Sequence, residues 1–249
     1  MRISSDDKRK IEDKYPEIII SLENSILNIN SLLYRIKEQK AIENLQHGVI
    51  RRGFVNAHCL RRIYKISPPT RVKHLTHEER EDITVFLLTS LFNISGIINN
   101  LSWAWFYERE IYKKEDPDRF KWNVYLFNKK FKKYLPSSIN NALEEFDEWQ
   151  KHVKGFRDPI AHRIPPYVIP YFVNQEGAEM YKQLQEKFSI EIDVDKREKL
   201  LDEMDSLGVY EPAYTHSFNE DSPLVSMHPQ LLADTNTIVE IIEIIVNNL

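Results

Sequence analysis

The sequence predicts a mainly α protein, a bundle of roughly seven helices with a few short strands in the C-terminal half. Three observations favour this fold class. Only 6 of the 249 residues are glycine, few for a β-rich fold that depends on tight turns. Apolar residues recur every three or four positions over long stretches, as on the buried side of a helix. Hydrophobic residues make up 42% of the chain and charged residues 29%, a balance typical of globular proteins.

The N-terminal part of the chain carries two of these helical patterns. The first extends from about Tyr15 to Asn44, with Pro16 near its start, where proline is well tolerated. We expect Gly48 to interrupt the pattern, because glycine is a poor helix former. A second helix is then predicted up to about Tyr64.

The next helix has a clear start signal. Glu79 follows Thr76 at the spacing of a capping box, and a long apolar helix is expected from there to about Ile111. Its most hydrophobic part, residues 83–101, contains Asn93, Asn99 and Asn100. Their amides would be costly inside a lipid bilayer, so we expect a buried helix and no membrane span.

The C-terminal half changes character after one more helix, which is expected to begin near Leu135 and to stop at Gly155. The prolines within residues 163–173 exclude regular helix and favour an extended segment or an edge strand. Residues 174–207 are expected to form a charged helix, residues 208–225 a loop or small hairpin, and residues 229–249 an amphipathic closing helix. We therefore divide the chain into a helical bundle, 1–165, and a C-terminal portion, 166–249, packed on the same domain.

Charge and motif content exclude several functional classes. The formal net charge of -4 excludes a basic field over the whole surface, so a nucleic acid would need a local basic patch. The single cysteine, Cys59, excludes an intrachain disulfide and is expected to be a small buried side chain of a cytoplasmic protein. Walker, Rossmann, nucleophile-elbow and CxxC motifs are absent from the sequence, which argues against most NTPases, dinucleotide enzymes and serine hydrolases. We expect no cofactor.

One short motif, residues 157–162, contains the side chains that RNA cleavage without a metal requires. His162 belongs to the residue type that titrates near neutrality and can move the proton of a ribose 2′-hydroxyl. Arg157 offers a planar fork of donors for a phosphate, and Asp158 can orient either partner. Helical positions five apart lie about 140° apart around the axis. We therefore expect Asp158 and Pro159 to start a new helical turn that lets Arg157 approach His162.

At these residues the chain resembles the HEPN superfamily, all-helical bundles with an arginine, a polar residue directly after it, and a histidine after a short spacer. The resemblance implies a metal-independent endoribonuclease of a phage-defence or toxin–antitoxin system, active as a homodimer in which two motifs meet. It implies His162 as general base or acid, Arg157 as phosphate binder and Asp158 as their polar partner. The expected partners are RNA, a second copy of the chain and a protein partner or antitoxin.

A basic run shortly before the motif is the candidate contact with a nucleic-acid backbone, because lysines there alternate with aromatic residues. The alternative is a solvated helix face with Phe131 turned inward. The candidate nucleic-acid-binding residues are Lys129, Lys130, Lys132, Lys133 and Arg163.

The motif also has a structural interpretation. Asp158 would cap a helix, Arg157 would pair with Glu145 or Asp147, and His162 would be a hydrogen-bonded core histidine. The chain would then be a non-catalytic helical interaction protein or a nucleic-acid-binding protein.

Three further clusters carry weaker signals. His74 and His77 have a spacing that zinc can use, but further ligands are not evident, and no metal site is expected. The aromatic residues 103–107 form either a base-stacking platform or, more in keeping with their position after an apolar helix, core or an oligomer interface. The arginines within residues 51–62 offer a cationic helix face without a specific ligand.

Overall fold

The computed structural model describes residues 3–217 and 222–249 and confirms the mainly α fold with a small antiparallel sheet in the C-terminal half. A π-helical segment, Asn44–Ile50, joins two of the helices. The helices and strands, in chain order, are α1 Ser5–Leu32, α2 Gln39–Glu43, α3 Arg51–Ile66, α4 His77–Glu108, α5 Pro117–Phe120, α6 Lys129–Lys132, α7 Ser137–Glu144, α8 Asp147–His162, β1 Tyr167–Val173, α9 Gln175–Ile190, α10 Val194–Ser206, β2 Gly208–Thr215, β3 Val225–Ser226 and α11 Met227–Val246.

Helix α1 begins about ten residues earlier than predicted and ends earlier as well. Its start is defined by the hydroxyl of Ser4, which accepts a hydrogen bond from the backbone amide of Asp7, so Pro16 lies inside the helix instead of near its start. The predicted continuation to Asn44 is wrong, because the chain turns extended at Ile36. The carboxylate of Glu108 accepts backbone amides just after this turn and stabilises the break.

The predicted interruption at Gly48 is also wrong. Helix α2, the π-helical segment and α3 follow one another directly, with helical backbone on both sides of this glycine. A Cβ atom on Gly48 would overlap the side chain of Asn100 on α4. The glycine is therefore explained by the close approach of two helices and not by a turn.

Helix α4 is the central element and packs against α2, α3, α8 and α11. The predicted capping box is confirmed, because Thr76 accepts from the amide of Glu79 while the Glu79 carboxylate accepts from the amide of Thr76. By length and composition α4 would suffice to cross a membrane, a test that core helices of soluble proteins also pass. Half of its most apolar window is buried inside the structure.

The C-terminal sheet has the order β1-β2-β3, with both pairs antiparallel. The predicted extended segment is confirmed as edge strand β1, and its register shifts between Ile169 and Tyr171, where Pro170 lies. Where a loop or small hairpin was predicted, strand β2, Gly208–Thr215, pairs antiparallel with β3, as a small hairpin does. Strand β2 also pairs with β1, which was not predicted. Residues 218–221 of that predicted segment lie outside the described residues.

The predicted charged helix of residues 174–207 is divided into α9 and α10, because Asp193 caps a new helix by accepting from the amide of Lys196. The closing helix is confirmed as α11, which packs against α1 and α4. The predicted apolar side of α11 is buried at Leu231, Ile238, Ile242 and Ile245.

Cys59 is buried as expected, and burial raises the pKa of its thiol to about 11.

Candidate functional site

The motif lies in the last turns of one uninterrupted helix, α8. The predicted stop at Gly155 is wrong, because a glycine stop requires a left-handed backbone and none of the glycines within the described residues has a positive φ. The predicted new turn at Asp158 is wrong as well. Pro159 is buried within the helix, and its carbonyl accepts the amide of Arg163 beyond the helix end.

Because the helix is continuous, Arg157 and His162 remain about 140° apart around its axis. The guanidinium Nη1 of Arg157 lies 3.1 Å from Oδ1 of Asp158, and these two side chains are 34% and 41% exposed. Arg157 is therefore paired with its neighbour and not with Glu145 or Asp147. His162 is exposed, so the alternative of a core histidine is wrong. In one copy of the chain, His162 is exposed to solvent and Arg157 only in part, and their positions differ by about 140° around the helix axis.

The motif borders an open groove with a volume of about 680 Å³. Four of its lining residues are lysine or arginine and one is aspartate, so the groove is electropositive although the whole chain is acidic. One of these cations, Lys151, also contacts Glu148 at 2.5 Å on the exposed side. The lining residues are Lys151, Lys154, Gly155, Arg157, Asp158, Pro159, His162, Arg163 and His216.

Sequence reasoning missed Lys151, Lys154 and His216 as members of this groove. The two lysines precede Asp158 by seven and four positions, which places all three on one face of a continuous helix. The expected stop at Gly155 hid this pattern. His216 follows β2 and comes to the groove through strand pairing, for which the sequence carries no local signal.

The basic run on α6 does not line this groove. Lys132 contacts Asp147, the first residue of α8, at 3.3 Å, so the run lies beside the opposite end of that helix. Lys133 contacts Glu115 at 3.3 Å, while Lys129 and Lys130 are exposed. Phe131 is fully buried, as in the alternative of a solvated helix face. The structure thus brings Arg163 to the motif and leaves the four predicted lysines elsewhere.

The other face of α8 is anchored to α11 and β2. Trp149 donates its indole N–H to Oδ1 of Asp234 at 2.8 Å, and Gln230 donates to the same oxygen at 2.7 Å. Directly before the motif, the ring of Phe156 packs edge to face on that of Tyr214, with ring centroids 4.9 Å apart. These contacts fix which side of α8 faces solvent.

Two ionisable groups are fully enclosed in this region. Burial raises the pKa of Asp234 to about 6, opposed by the hydrogen bonds from Gln230 and Trp149. Burial lowers the pKa of His228 to about 4, opposed by its hydrogen bond with the carbonyl of Ser67. Burial favours the neutral form of each side chain, which is the protonated form of Asp234 and the deprotonated form of His228. Asp234 therefore stabilises the folded state at low pH, and His228 stabilises it at higher pH.

Replacing Asp234 with asparagine is expected to change how stability depends on pH. A raised carboxyl pKa makes wild-type stability fall as pH rises from about 4 to about 6, whereas the lowered pKa of His228 makes it rise over about pH 4 to 6.5. In Asp234→Asn only the second effect remains. The free energy of unfolding of the variant, measured relative to that of wild type, should therefore be roughly 3 kcal/mol more favourable to the folded state at pH 7 than at pH 4.

Urea unfolding at pH 4, 5, 6 and 7 measures this difference. The exposed Asp202→Asn on α10 is the control and should follow wild type. Parallel pH curves for Asp234→Asn and wild type would show that the buried carboxyl has no raised pKa.

Replacing Gly155 with alanine is expected to stabilise the protein by about 0.5–1 kcal/mol. The backbone at Gly155 is helical, and an added Cβ would meet nothing within 4 Å. Gly48→Ala is the matched control, because its Cβ would overlap Asn100 and should cost stability. Chemical denaturation of both variants checks the pair, and a loss of stability in Gly155→Ala would contradict the continuous helix.

No family model, curated protein or solved structure matches the chain. Within residues 3–217 and 222–249, no group of three or more His, Cys, Asp or Glu side chains is placed to hold a metal ion. The functional inference therefore depends on the groove residues themselves.

Proposed function

We propose that the chain is a metal-independent endoribonuclease whose active sites form between the α8 helices of two copies. The observation that carries this proposal is the electropositive groove that is lined by the partly buried Arg157 and the exposed His162 of the same helix. Phosphate contacts from lysine and arginine supply most of the affinity for a nucleic-acid backbone. The resemblance to HEPN proteins supports the same activity, of the kind that serves phage defence or toxin–antitoxin systems.

The chemistry needs a base, an acid and a stabiliser of charge. His162, in its neutral form, accepts the proton of a ribose 2′-hydroxyl, and the freed oxygen attacks the adjacent phosphorus. The P–O5′ bond breaks, and the leaving oxygen takes a proton from the protonated histidine of the second copy. Arg157 stabilises the negative charge that develops on the phosphoryl oxygens. The products carry a 2′,3′-cyclic phosphate and a 5′-hydroxyl.

The proposal places the site between two copies because one α8 cannot supply it alone. Arg157 and His162 leave the helix about 140° apart, and Arg157 is turned toward Asp158. In a twofold dimer the same surface patch of each copy meets the other, which allows Arg157 of one copy to face His162 of the second. A phosphate between them would then displace part of the Arg157–Asp158 contact.

The direct test is to incubate the full chain with varied single-stranded RNAs in EDTA and to analyse the ends of the products. We expect cleavage that leaves 2′,3′-cyclic phosphates, by a protein whose mass in solution at micromolar concentration is that of a dimer. Binding without cleavage would favour the alternative of a nucleic-acid-binding protein. An active monomer would overturn the shared site, and equal cleavage by an Arg157→Ala, His162→Ala double variant would overturn the whole proposal.

Removing Lys151 and Lys154 together is expected to weaken RNA binding and its dependence on salt. Each lost phosphate contact with a single strand reduces the slope of log K against log salt by about 0.7, so the pair should reduce it by roughly 1.4. Binding titrations of labelled RNA between low and moderate salt measure this slope. The exposed pair Lys129 and Lys130, outside the groove, is the control, and an equal reduction there would contradict the groove as the binding surface.

A further inference from the structure

A second polar groove lies at the π-helical segment, between that segment, α3 and α4, and it shares no lining residue with the α8 groove. Its volume is about 370 Å³, within the range of about 300–1,000 Å³ that is usual for small-molecule sites. A neighbouring opening of about 390 Å³ shares part of its lining and adds Glu43 and His47. The residues that matter for its chemistry are Asn44, Arg52, Asn99, Asn100, Trp103 and Tyr107.

Arg52 is the cation of this groove, and neutral groups hold it. Its Nε donates to Oδ1 of Asn100 at 3.1 Å, and its Nη1 donates to Oδ1 of Asn93 at 3.2 Å. Asn100 is itself oriented by donating to Oδ1 of Asn44 at 3.0 Å. None of the carboxylates in the described ranges forms an ion pair with Arg52, in contrast to Arg61, Arg71 and Arg157. The amides therefore orient the guanidinium without neutralising its positive charge, so an anion can bind there.

The backbone around Arg52 leaves room for this arrangement. A Cβ atom on Gly96 would lie 2.6 Å from the guanidinium of Arg52, and one on Gly48 would overlap Asn100. Both glycines thus allow the guanidinium and the amide to lie between the helices. The adjacent segment Asn44–Ile50 is a π-helix, a rare conformation that is frequent at functional sites.

Aromatic rings form the other side of the groove. Trp103 and Tyr107 are half-buried and stack on each other with ring centroids 5.7 Å apart and planes inclined by 26°. The Nζ of Lys40 lies 5.1 Å from the centroid of the Tyr107 ring and adds a second positive charge nearby. The other two aromatic residues of this cluster, Trp105 and Phe106, are buried in the core. Only part of the predicted aromatic cluster is therefore available to a ligand.

We propose that this groove binds a nucleoside monophosphate, with the phosphate on Arg52 and the base against Trp103. A guanidinium beside a flat aromatic wall matches a ligand that combines an anion with a planar ring, because every base has a π-face that can stack. Asn99 is exposed and lines the groove, so its amide is placed to meet a base edge.

Isothermal titration of the full chain with AMP, GMP, CMP and UMP, and with inorganic phosphate, tests the proposal. At least one mononucleotide should bind, and inorganic phosphate should bind more weakly because it lacks the base. Arg52→Gln and Trp103→Leu should each weaken the binding roughly tenfold or more. Arg62→Gln is the matched control on the same helix, since Arg62 lies over the ring of Phe86 at 5.6 Å, outside the groove.

Arg52 also joins α3 to α4, so its variant is checked for folding by circular dichroism. Asn99→Ala keeps the test independent of that contact, because Asn99 is exposed and its loss should weaken mononucleotide binding without unfolding the chain. Absence of binding by all four mononucleotides would overturn the proposal. Equal binding of inorganic phosphate, or unchanged mononucleotide affinity in folded Arg52→Gln and Asn99→Ala, would overturn it as well. None of these outcomes depends on RNA cleavage by the α8 groove.

Discussion

RNA cleavage by the His162→Ala variant is expected to be slower than that of wild type by a factor of about 10²–10⁴, the usual contribution of general acid–base catalysis. The reason is that alanine can neither accept the 2′-hydroxyl proton nor return one to the leaving group. Because His162 is exposed at the end of α8, we expect the variant to fold and to unfold at the same urea concentration as wild type.

The measurement is single-turnover cleavage of a labelled RNA in EDTA, with His77→Ala as control. His77 is a second exposed histidine, 75% accessible at the start of α4 and away from the groove, and its loss should leave the rate unchanged. If both variants cleave at the wild-type rate, His162 takes no part in proton transfer. A His162→Ala variant that binds RNA normally but does not cleave it would assign the residue to chemistry and not to binding.

The Phe156→Ala variant is expected to lose about 3–5 kcal/mol of its free energy of unfolding, the usual cost of deleting a fully buried phenylalanine. Phe156 is 1% exposed and belongs to a buried apolar cluster that also contains Leu91 of α4 and Tyr214 of β2. The centroid of its ring lies 4.9 Å from that of the Tyr214 ring and 5.1 Å from that of the His152 ring. Since Phe156 directly precedes Arg157, the cavity also loosens the part of α8 that presents the motif.

Urea denaturation of the Phe156→Ala variant measures this loss. Phe92→Ala on α4 is the matched control: its ring is 45% exposed, and the same deletion should cost about 1 kcal/mol or less. A comparable loss at the two positions would mean that Phe156 is not enclosed as the fold describes. A large loss of stability with unchanged RNA cleavage below the unfolding transition would show that anchoring of α8 is not needed for the site.

The fold was predictable where the signal is local. The capping box at Thr76 and the apolar spacing of α11 depend on residues within a few turns, and both predictions are confirmed. The predictions at Gly48 and Gly155 are wrong because the sequence does not show which role a glycine has. Gly48 allows the close approach of α4, and Gly155 lies inside a helix with no neighbour within 4 Å of an added Cβ. The short pairing of β2 with β3 agrees with the predicted small hairpin, whereas the longer pairing of β2 with β1 was not predicted, because β1 is distant from β2 in sequence.

The site was partly predictable for a similar reason. Arg157, Asp158 and His162 form a recognisable spacing, and the structure places all of them at one exposed groove. The more conspicuous basic run on α6 lies away from this groove. Its Lys132 and Lys133 form ion pairs with carboxylates that are distant in sequence, and the sequence alone does not reveal these partners. Arg52 was one of several arginines in the sequence, and only its amide partners on α4 distinguish it.

The proline in strand β1 has a consequence for how two copies can associate. Strand β1 is an edge of the sheet, and an edge normally offers unpaired amides to which a further strand can add. Pro170 has no amide hydrogen to donate, and the register shift around it bends the edge away from regular pairing. Growth of the sheet across this edge into a continuous intermolecular sheet is therefore disfavoured, which also protects the chain from edge-to-edge aggregation. A dimer built on helical faces, such as the one proposed through α8, does not use this edge.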